Sequence, residues 1–165
     1  MKPKVLIVMG SESDSSVMEE TVKVLSEFGI PCETSIASAH RSPELALKLA
    51  KEAEGKGIEV IIAGAGMAAH LAGVMASHTI VPVIGVPINS SALQGLDSLL
   101  SIVQMPPGVP VATMAIGKAG AKNAGVLAAQ ILARKDAGLA RKLRDYKKKM
   151  AEEVHAKSKA LKRNR

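Results

Sequence analysis

The sequence predicts an α/β fold: a three-layer sandwich in which helices cover both faces of a parallel β-sheet. Runs of β-branched and aliphatic residues each end in a glycine- or serine-containing turn, helical spacing follows, and this unit repeats along the 165 residues. Such repetition is typical of βαβ units, and an apolar run such as residues 4–9 is typical of a strand covered on both faces. Five strands favour a flavodoxin-like (Rossmann-like) order, with the first strand beside the third.

Local signals predict where the elements begin and end. Gly29 is expected to end the first helix, and Ser42-Pro43 is expected to begin the second as N-cap and first helical residue. The predicted strands comprise residues 4–9, 32–37, 58–63, 82–86 and 109–116. The predicted helices run from the turn at 10–14 to 28, from 43 to about 57, from the turn at 64–66 to about 77, over 99–103 and over about 122–134, with a polar loop at 87–97.

The C-terminal segment predicts one long amphipathic helix. Its apolar side chains recur at helical spacings, at Leu139, Leu143, Tyr146, Met150, Val154 and Leu161. About 25 residues at ~1.5 Å each would span roughly 38 Å, which overhangs a domain of this size. We therefore predict a single α/β domain over residues 1–134 and a basic helix over residues 135–165 that packs on a neighbouring subunit.

The formal net charge of +7 arises from this C-terminal segment. Residues 134–165 hold 13 Lys and Arg against 4 Asp and Glu, whereas residues 1–133 hold 9 against 11. A basic tail raises the possibility of nucleic-acid binding, but the chain has no Trp, one Phe and one Tyr. Aromatic platforms for stacking bases are therefore missing, and we predict no nucleic-acid partner.

The middle of the chain is nearly uncharged. Between Glu59 and Lys118 the only formally charged residue is Asp97. Prolines and polar residues interrupt this stretch, so we predict no membrane span, and we expect a homo-oligomer that buries it between subunits. The single cysteine, Cys32, cannot form an internal disulfide, which favours a reducing, cytoplasmic setting.

Three polar turns are expected to meet at one edge of the sheet, because ligands of open parallel sheets bind beyond the C-terminal strand ends. The first, residues 10–14, offers N–H groups and hydroxyls to a phosphate. The second, residues 38–41, places His40 beside Arg41. Arginine suits phosphate, and histidine as a residue type exchanges protons near pH ~6.5. The third, residues 64–70, brings glycine backbone close to a ligand and ends at His70.

Each of these residues also has a purely structural interpretation. Ser13 or Asp14 fits a helix N-cap, and the glycines of the third turn fit a tight strand-to-helix connection. His70 fits an interior histidine of an apolar helix, and a surface ion pair would account for His40 and Arg41. The sequence alone leaves these alternatives open.

The remaining His and Cys residues predict no chemistry. His78 and His155 are interpreted as structural, and Cys32 has no base nearby in sequence to make it a nucleophile. The His and Cys positions show no metal-ligand spacing, so no metal site is predicted.

At the three turns the sequence resembles the PurE family of purine biosynthesis. The matching segments are IVMGSESD (7–14), SAHRSP (38–43), VIIAGAGMAAHLAG (60–73), PVIGVP (82–87), ALQGLDSLLSIVQMP (92–106) and GVPVATMAIGKAGAKNAGVLAAQIL (108–132). One class of the family interconverts N5-carboxyaminoimidazole ribonucleotide (N5-CAIR) and 4-carboxyaminoimidazole ribonucleotide (CAIR). The other carboxylates aminoimidazole ribonucleotide (AIR) directly with CO2, and typically carries Lys after SAH and no histidine in the third turn. Arg41 and His70 favour the first, mutase class.

The resemblance implies a role for each site residue. It implies His40 as general acid/base and His70 as a second catalytic histidine, with substrate contacts at Ser11, Ser13, Asp14, Ser38, Arg41 and Gly66. It also implies no cofactor, a homo-octamer with sites at subunit junctions, and a functional link to an ATP-dependent N5-CAIR synthetase. The sequence departs from the family pattern at Met67, Ala72 and Pro107, where Gly, Pro, and Arg or Gly are usual.

Three other functions are weighed against the mutase. The first is direct carboxylation of AIR, which uses the same fold. The second is a flavodoxin-like module that binds a nucleotide or a flavin and does not catalyse the carboxyl shift. The third is nucleic-acid binding through the basic tail.

Overall fold

The computed structural model describes residues 2–163 and confirms the predicted α/β sandwich. One parallel sheet has the order β2-β1-β3-β4-β5, so the first strand lies beside the third as predicted. The strands are β1 Val5–Met9, β2 Cys32–Ile36, β3 Val60–Gly66, β4 Val83–Ile88 and β5 Ala112–Thr113. The helices are α1 Ser15–Phe28, α2 Pro43–Glu52, α3 Leu71–Ala76, α4 Leu96–Val103, α5 Lys118–Leu132 and α6 Ala137–Arg163.

The strand register brings the three polar turns together. Met9, the last residue of β1, pairs with Ile36 on one side and with Gly64 on the other. The Gly10 N–H then donates to the Gly64 carbonyl at 3.0 Å, which extends the β1–β3 pairing by one residue. The turns after β1, β2 and β3 therefore leave the sheet side by side at one edge.

Both faces of the sheet are covered. On one face α2, α3 and α4 pack on Leu6, Val8, Ile61 and other buried aliphatic residues of the strands. On the other face lie α1 and α5, which are joined by a buried hydrogen bond from Thr21 Oγ1 to the Ala121 carbonyl at 2.7 Å. Continuous burial of β1, β3 and β4 agrees with strands that read as unbroken apolar runs.

The chain divides into two compact units between Ala128 and Ala129, within α5. In the second unit α6 is a helix of 27 residues, about 40 Å long at ~1.5 Å per residue. Of its predicted apolar stripe, Leu139 and Leu143 are buried, whereas Met150, Val154 and Leu161 are exposed. Among residues 2–163, no helix combines the length and the apolarity that a membrane span requires.

Several predicted bounds are wrong. The predicted turn at 64–66 is the end of β3, where it pairs with β4 up to Ile88, because the backbone ladder outweighs the low strand propensity of glycine. As a result α3 begins only at Leu71. The fifth strand shrinks to two residues, since Pro110 and the prolines before it have no N–H to donate.

The helix bounds also shift. The second helix ends at Glu52 and is followed by turns that close at Gly57 (φ 81°), whereas α4 begins three residues earlier than predicted, directly after Gly95 (φ 87°). In both places a glycine in the left-handed conformation makes the turn. The first helix ends at Gly29 (φ 74°) as predicted.

Candidate functional site

A pocket of about 520 Å³ opens where the three turns meet. This volume lies within the range of small-molecule sites in proteins. Its lining includes all eight residues predicted for the site, Ser11, Ser13, Asp14, Ser38, His40, Arg41, Gly66 and His70, together with Gly10, Ala39, Ala65, Met67, Ala68, Leu71 and Ser90.

The turn after β1 is built around the Asp14 carboxylate. Residues Glu12–Asp14 form one turn of 3-10 helix before α1. The Ser11 N–H donates to Asp14 Oδ2 at 3.0 Å, and Ser13 Oγ donates to Ser11 Oγ at 3.0 Å. Asp14 thus fixes the turn without capping α1 through its side chain, while the two hydroxyls stand at the pocket wall.

Asp14 is a buried carboxyl group, only 4 % exposed. Burial raises its pKa above the ordinary value, and the Ser11 N–H and the positive charge of Arg41 oppose that rise. A carboxylate here accepts hydrogen bonds and repels anions. By residue type, Asp14 suits the hydroxyl groups of a ligand, whereas Arg41 and the serine hydroxyls suit an anion.

The turn after β2 is held by two serines. Ser38 Oγ accepts from the N–H groups of His40 at 3.3 Å and Arg41 at 3.1 Å, and Ser42 Oγ accepts from the Ser38 N–H at 2.9 Å. Arg41 Nη2 donates to the Gly10 carbonyl at 3.3 Å. This bond draws the guanidinium toward the first turn, where it can share an anion with the serine hydroxyls.

His40 and His70 form a direct side-chain pair. His40 Nε2 lies 2.7 Å from His70 Nδ1, and the two rings meet edge to face with centroids 4.8 Å apart. At this distance one of the two ring nitrogens carries a proton and donates a hydrogen bond, and the other accepts that bond. The interior-histidine interpretation of His70 is wrong, because this residue is exposed at the N-cap of α3 and belongs to no buried helix face.

The end of β3 contributes backbone and one unusual side chain. Gly66 faces Ser90, and a Cβ on Gly66 would collide with the Ser90 hydroxyl. Met67 follows in the left-handed conformation (φ 56°) that glycine ordinarily occupies. The position of Ser90 therefore requires a residue without a side chain at Gly66.

Ser90 was not predicted as a pocket residue. It follows β4, and the prediction treated residues 87–97 only as a polar loop. The rule that ligands bind beyond the C-terminal strand ends applies to the strand beside β3 as well, and it would have identified Ser90 if the end of β4 had been placed correctly at Ile88.

The other His and Cys side chains lie outside this pocket. His78 Nδ1 lies 2.8 Å from Ser77 Oγ and 2.9 Å from the Val74 carbonyl at the end of α3. Burial raises the pKa of the Cys32 thiol, which keeps it protonated and a poor nucleophile. Within the described chain no three His, Cys, Asp or Glu side chains gather as a metal site would require.

The pocket can bind an anion and move a proton. Arg41 and the serine hydroxyls are donors suited to an anion, Asp14 is an acceptor, and imidazole is a residue type that can give and take protons.

Known proteins have sequences similar to this one over most of its length. Residues 4–153 match the family model described as AIR carboxylase. The N5-carboxyaminoimidazole ribonucleotide mutase of Pyrococcus horikoshii is 60% identical over 160 residues, 97% of this chain and 89% of that protein. The mutase of Thermotoga maritima is 58% identical over 159 residues, 96% of this chain and 92% of that protein.

A solved structure shares the fold over nearly the same length. The crystal structure of Treponema denticola PurE superposes with a TM-score of 0.87 at 30% identity, covering 96% of this chain and 98% of that one. The family model and the two relatives each extend over most of the sequence, including all three turns of the pocket. This chain belongs to the AIR carboxylase (PurE) family.

Proposed function

We propose that this protein is an N5-CAIR mutase, which interconverts N5-CAIR and CAIR in purine biosynthesis. The observation that carries the proposal is the His40–His70 contact at 2.7 Å in one pocket with Arg41 and the serine turn. The names of the curated relatives support the same reaction.

The substrate would be held by its non-reacting end. Its phosphate would lie between Arg41 and the hydroxyls of Ser11 and Ser13, where donors converge. Both bonds to Ser38 Oγ use its lone pairs, which leaves its proton for a phosphate oxygen. Asp14 would accept from the ribose hydroxyls. Anchoring here lets binding energy position the imidazole ring at the histidines.

The carboxyl shift needs one proton delivered and one removed. In the first half the N–CO2 bond breaks, its electron pair returns to the exocyclic nitrogen, and that nitrogen takes a proton from His40. In the second half ring carbon C4 bonds to the released CO2, and His40 takes the proton that C4 loses. The net change moves one carboxylate from nitrogen to carbon, and His40 ends as it began.

His70 would keep the His40 ring in place through both halves. When His40 is protonated, its Nε2–H donates to His70 Nδ1, and when it is neutral one proton still lies between the two nitrogens. The contact is therefore satisfied in either state, and His40 Nδ1 is left to exchange protons with the substrate. Between the halves the pocket must retain CO2 beside C4, because escape to solvent would lose the advantage of proximity.

The test compares two substrates with the purified full chain. With N5-CAIR, the formation of CAIR followed by ultraviolet absorbance is the expected result. With AIR and bicarbonate, and no ATP-dependent carboxylating partner, little CAIR is expected at low bicarbonate. Efficient turnover of AIR under those conditions would instead identify direct carboxylation, and no CAIR from either substrate would overturn the proposal.

We propose further that the protein works as a homo-octamer, the assembly implied by the family resemblance. Exposed apolar side chains support self-association: Ile80, Leu93, Leu96, Leu100 and Val103 on the α/β unit, and Met150, Val154 and Leu161 on α6. The outer stripe of α6 would pack on a neighbouring subunit, which gives this basic helix a latching role.

The substrate indicates a partner enzyme, and the single cysteine indicates a compartment. A functional link to an ATP-dependent N5-CAIR synthetase would supply the N-carboxylated substrate. The cytoplasm is the compartment that we propose, because the lone Cys32 suits a reducing environment.

A further inference from the structure

Ser90 carries a hydroxyl group that the protein itself does not use. The residue is exposed and lines the pocket, and among residues 2–163 no hydrogen bond engages its hydroxyl. That hydroxyl lies so close to Gly66 that a Cβ on the glycine would collide with it. It is therefore held at the end of β3 and can donate one hydrogen bond to a ligand.

The loop between β4 and α4, on which this hydroxyl stands, is fixed at both ends. Ser91 Oγ donates to Asp97 Oδ2 at 2.7 Å, and the Ser98 N–H donates to Asp97 Oδ1 at 2.9 Å. The buried Ser98 Oγ lies 3.1 Å from the Ile88 carbonyl oxygen and 2.9 Å from the Gly95 carbonyl oxygen. Because these bonds order the loop before a ligand arrives, binding by the loop loses little conformational entropy.

Ser90 lies across the pocket from the proposed phosphate site. Arg41 is bonded to the Gly10 carbonyl just beyond β1, whereas Ser90 follows β4, and β3 lies between those two strands. Adjacent strands are about 4.8 Å apart, so the two sides are separated by about 10 Å. A ribonucleotide held by its phosphate at Arg41 would extend its imidazole end toward Ser90, because the ribose separates phosphate and base by a similar length.

Few side chains on this side of the pocket can donate a hydrogen bond. Between Ala65 and Leu71 only His70 has a side chain with an N–H or O–H group, and that side chain is paired with His40. A carboxylate enclosed there needs donors for its oxygens. The Ser90 hydroxyl is the side-chain donor beside this turn that no residue of the described chain already engages.

We propose that the Ser90 hydroxyl donates a hydrogen bond to the carboxylate that migrates, in both N5-CAIR and CAIR. A hydroxyl rotates about its Cβ–Oγ bond, so it can follow the carboxylate from the exocyclic nitrogen to C4. Ser90 thus determines specificity, because AIR has no carboxylate to receive the bond. This role rests on the proposed mutase function, and no covalent bond forms or breaks at Ser90.

The test compares the affinities for two nucleotides that differ in the carboxylate alone. CAIR and AIR are each titrated by isothermal calorimetry into the wild-type full chain, Ser90→Ala and Ser16→Ala. Ser16 is an exposed serine of α1 that does not line this pocket, so Ser16→Ala is the matched control. Circular dichroism and a sizing column confirm that each variant folds and assembles as the wild type does.

The expected result is a selective loss of affinity for the carboxylated nucleotide. In Ser90→Ala the Kd for CAIR should rise about 10–100-fold, the range for a lost hydrogen bond to a charged group, while the Kd for AIR stays within about twofold. The KM for N5-CAIR should rise in parallel with the Kd for CAIR. Ser16→Ala should bind both nucleotides like the wild type.

Two results would overturn the proposal and leave the mutase function in place. An unchanged Kd for CAIR in Ser90→Ala would mean that the hydroxyl does not contact the carboxylate. Equal weakening of CAIR and AIR would mean that Ser90 only shapes the pocket. A wild-type protein that neither binds CAIR nor forms it from N5-CAIR would overturn the proposed function and this inference together.

Discussion

Replacing Asp14 tests whether burial or the charge of the neighbouring Arg41 has the larger effect on the pKa of this carboxyl group. Burial raises the pKa of Asp14 in the folded protein, so the folded state binds its proton more tightly than the unfolded chain does. Its contribution to stability is therefore fully present below the unfolded pKa and is lost as the pH rises through the folded pKa. Above that pH the buried carboxylate lowers the free energy of unfolding.

Asp14→Asn removes this charge and retains an oxygen to accept the Ser11 N–H, now bonded at 3.0 Å. We expect Asp14→Asn to be more stable than the wild type at pH 7, with a difference that shrinks toward acid pH. Asp14→Ala leaves that partly buried N–H without its acceptor, which costs about 1–3 kcal/mol relative to Asp14→Asn. At ~2–4 °C per kcal/mol for a chain of this size, its Tm should be roughly 2–12 °C below that of Asp14→Asn.

The assay is urea and thermal unfolding of the three proteins from pH 4 to pH 8, at one protein concentration because self-association adds to apparent stability. Both variants should also bind substrate more weakly, because neither offers a carboxylate to the ribose hydroxyls. A wild-type protein as stable as Asp14→Asn at pH 7, or more stable, would refute the reasoning. It would mean that the charge of Arg41 outweighs the burial of the carboxylate.

Three further predictions follow from the site and the C-terminal helix. Gly66→Ala should lower the free energy of unfolding by about 1–3 kcal/mol and raise KM, because the added Cβ would collide with the Ser90 hydroxyl. Gly10→Ala is the matched control and should unfold like the wild type, because its Cβ would meet nothing closer than 3.6 Å. His70→Asn should lower kcat with KM nearly unchanged in steady-state kinetics, since it removes the partner of His40 Nε2 and no anion contact; a raised KM at unchanged kcat would contradict this. Truncation after Arg134 should shift the assembly to smaller species on a sizing column and leave substrate affinity nearly intact, whereas an intact assembly with weaker affinity would assign α6 an electrostatic role.

Much of the fold could be predicted because its signals are local. Apolar runs identified β1, β3 and β4, and Gly29 ended α1 where expected. The errors lie where pairing with another strand determines the bounds of an element. Gly64, Ala65 and Gly66 have low strand propensity, and they extend β3 only because β4 pairs with them. No pattern within one segment contains that information.

The candidate site could likewise be predicted only in part. Its three turns could be predicted to meet, because parallel strands end at a common edge. The contact between His40 and His70 could not, since it depends on β3 ending at Gly66 and α3 beginning at Leu71. The same two bounds place Met67 in the left-handed conformation and Ser90 opposite Gly66.

The most direct test of the proposed mechanism is the rate at which His40→Asn converts N5-CAIR to CAIR. Loss of a general acid/base is expected to lower kcat by about 10²–10⁴-fold, in a protein that elutes from a sizing column like the wild type. His78→Asn, an exposed histidine outside the pocket, is the matched control and should retain wild-type kcat. Conversion by His40→Asn at a rate near that of the wild type would contradict the assignment of the proton transfers to His40.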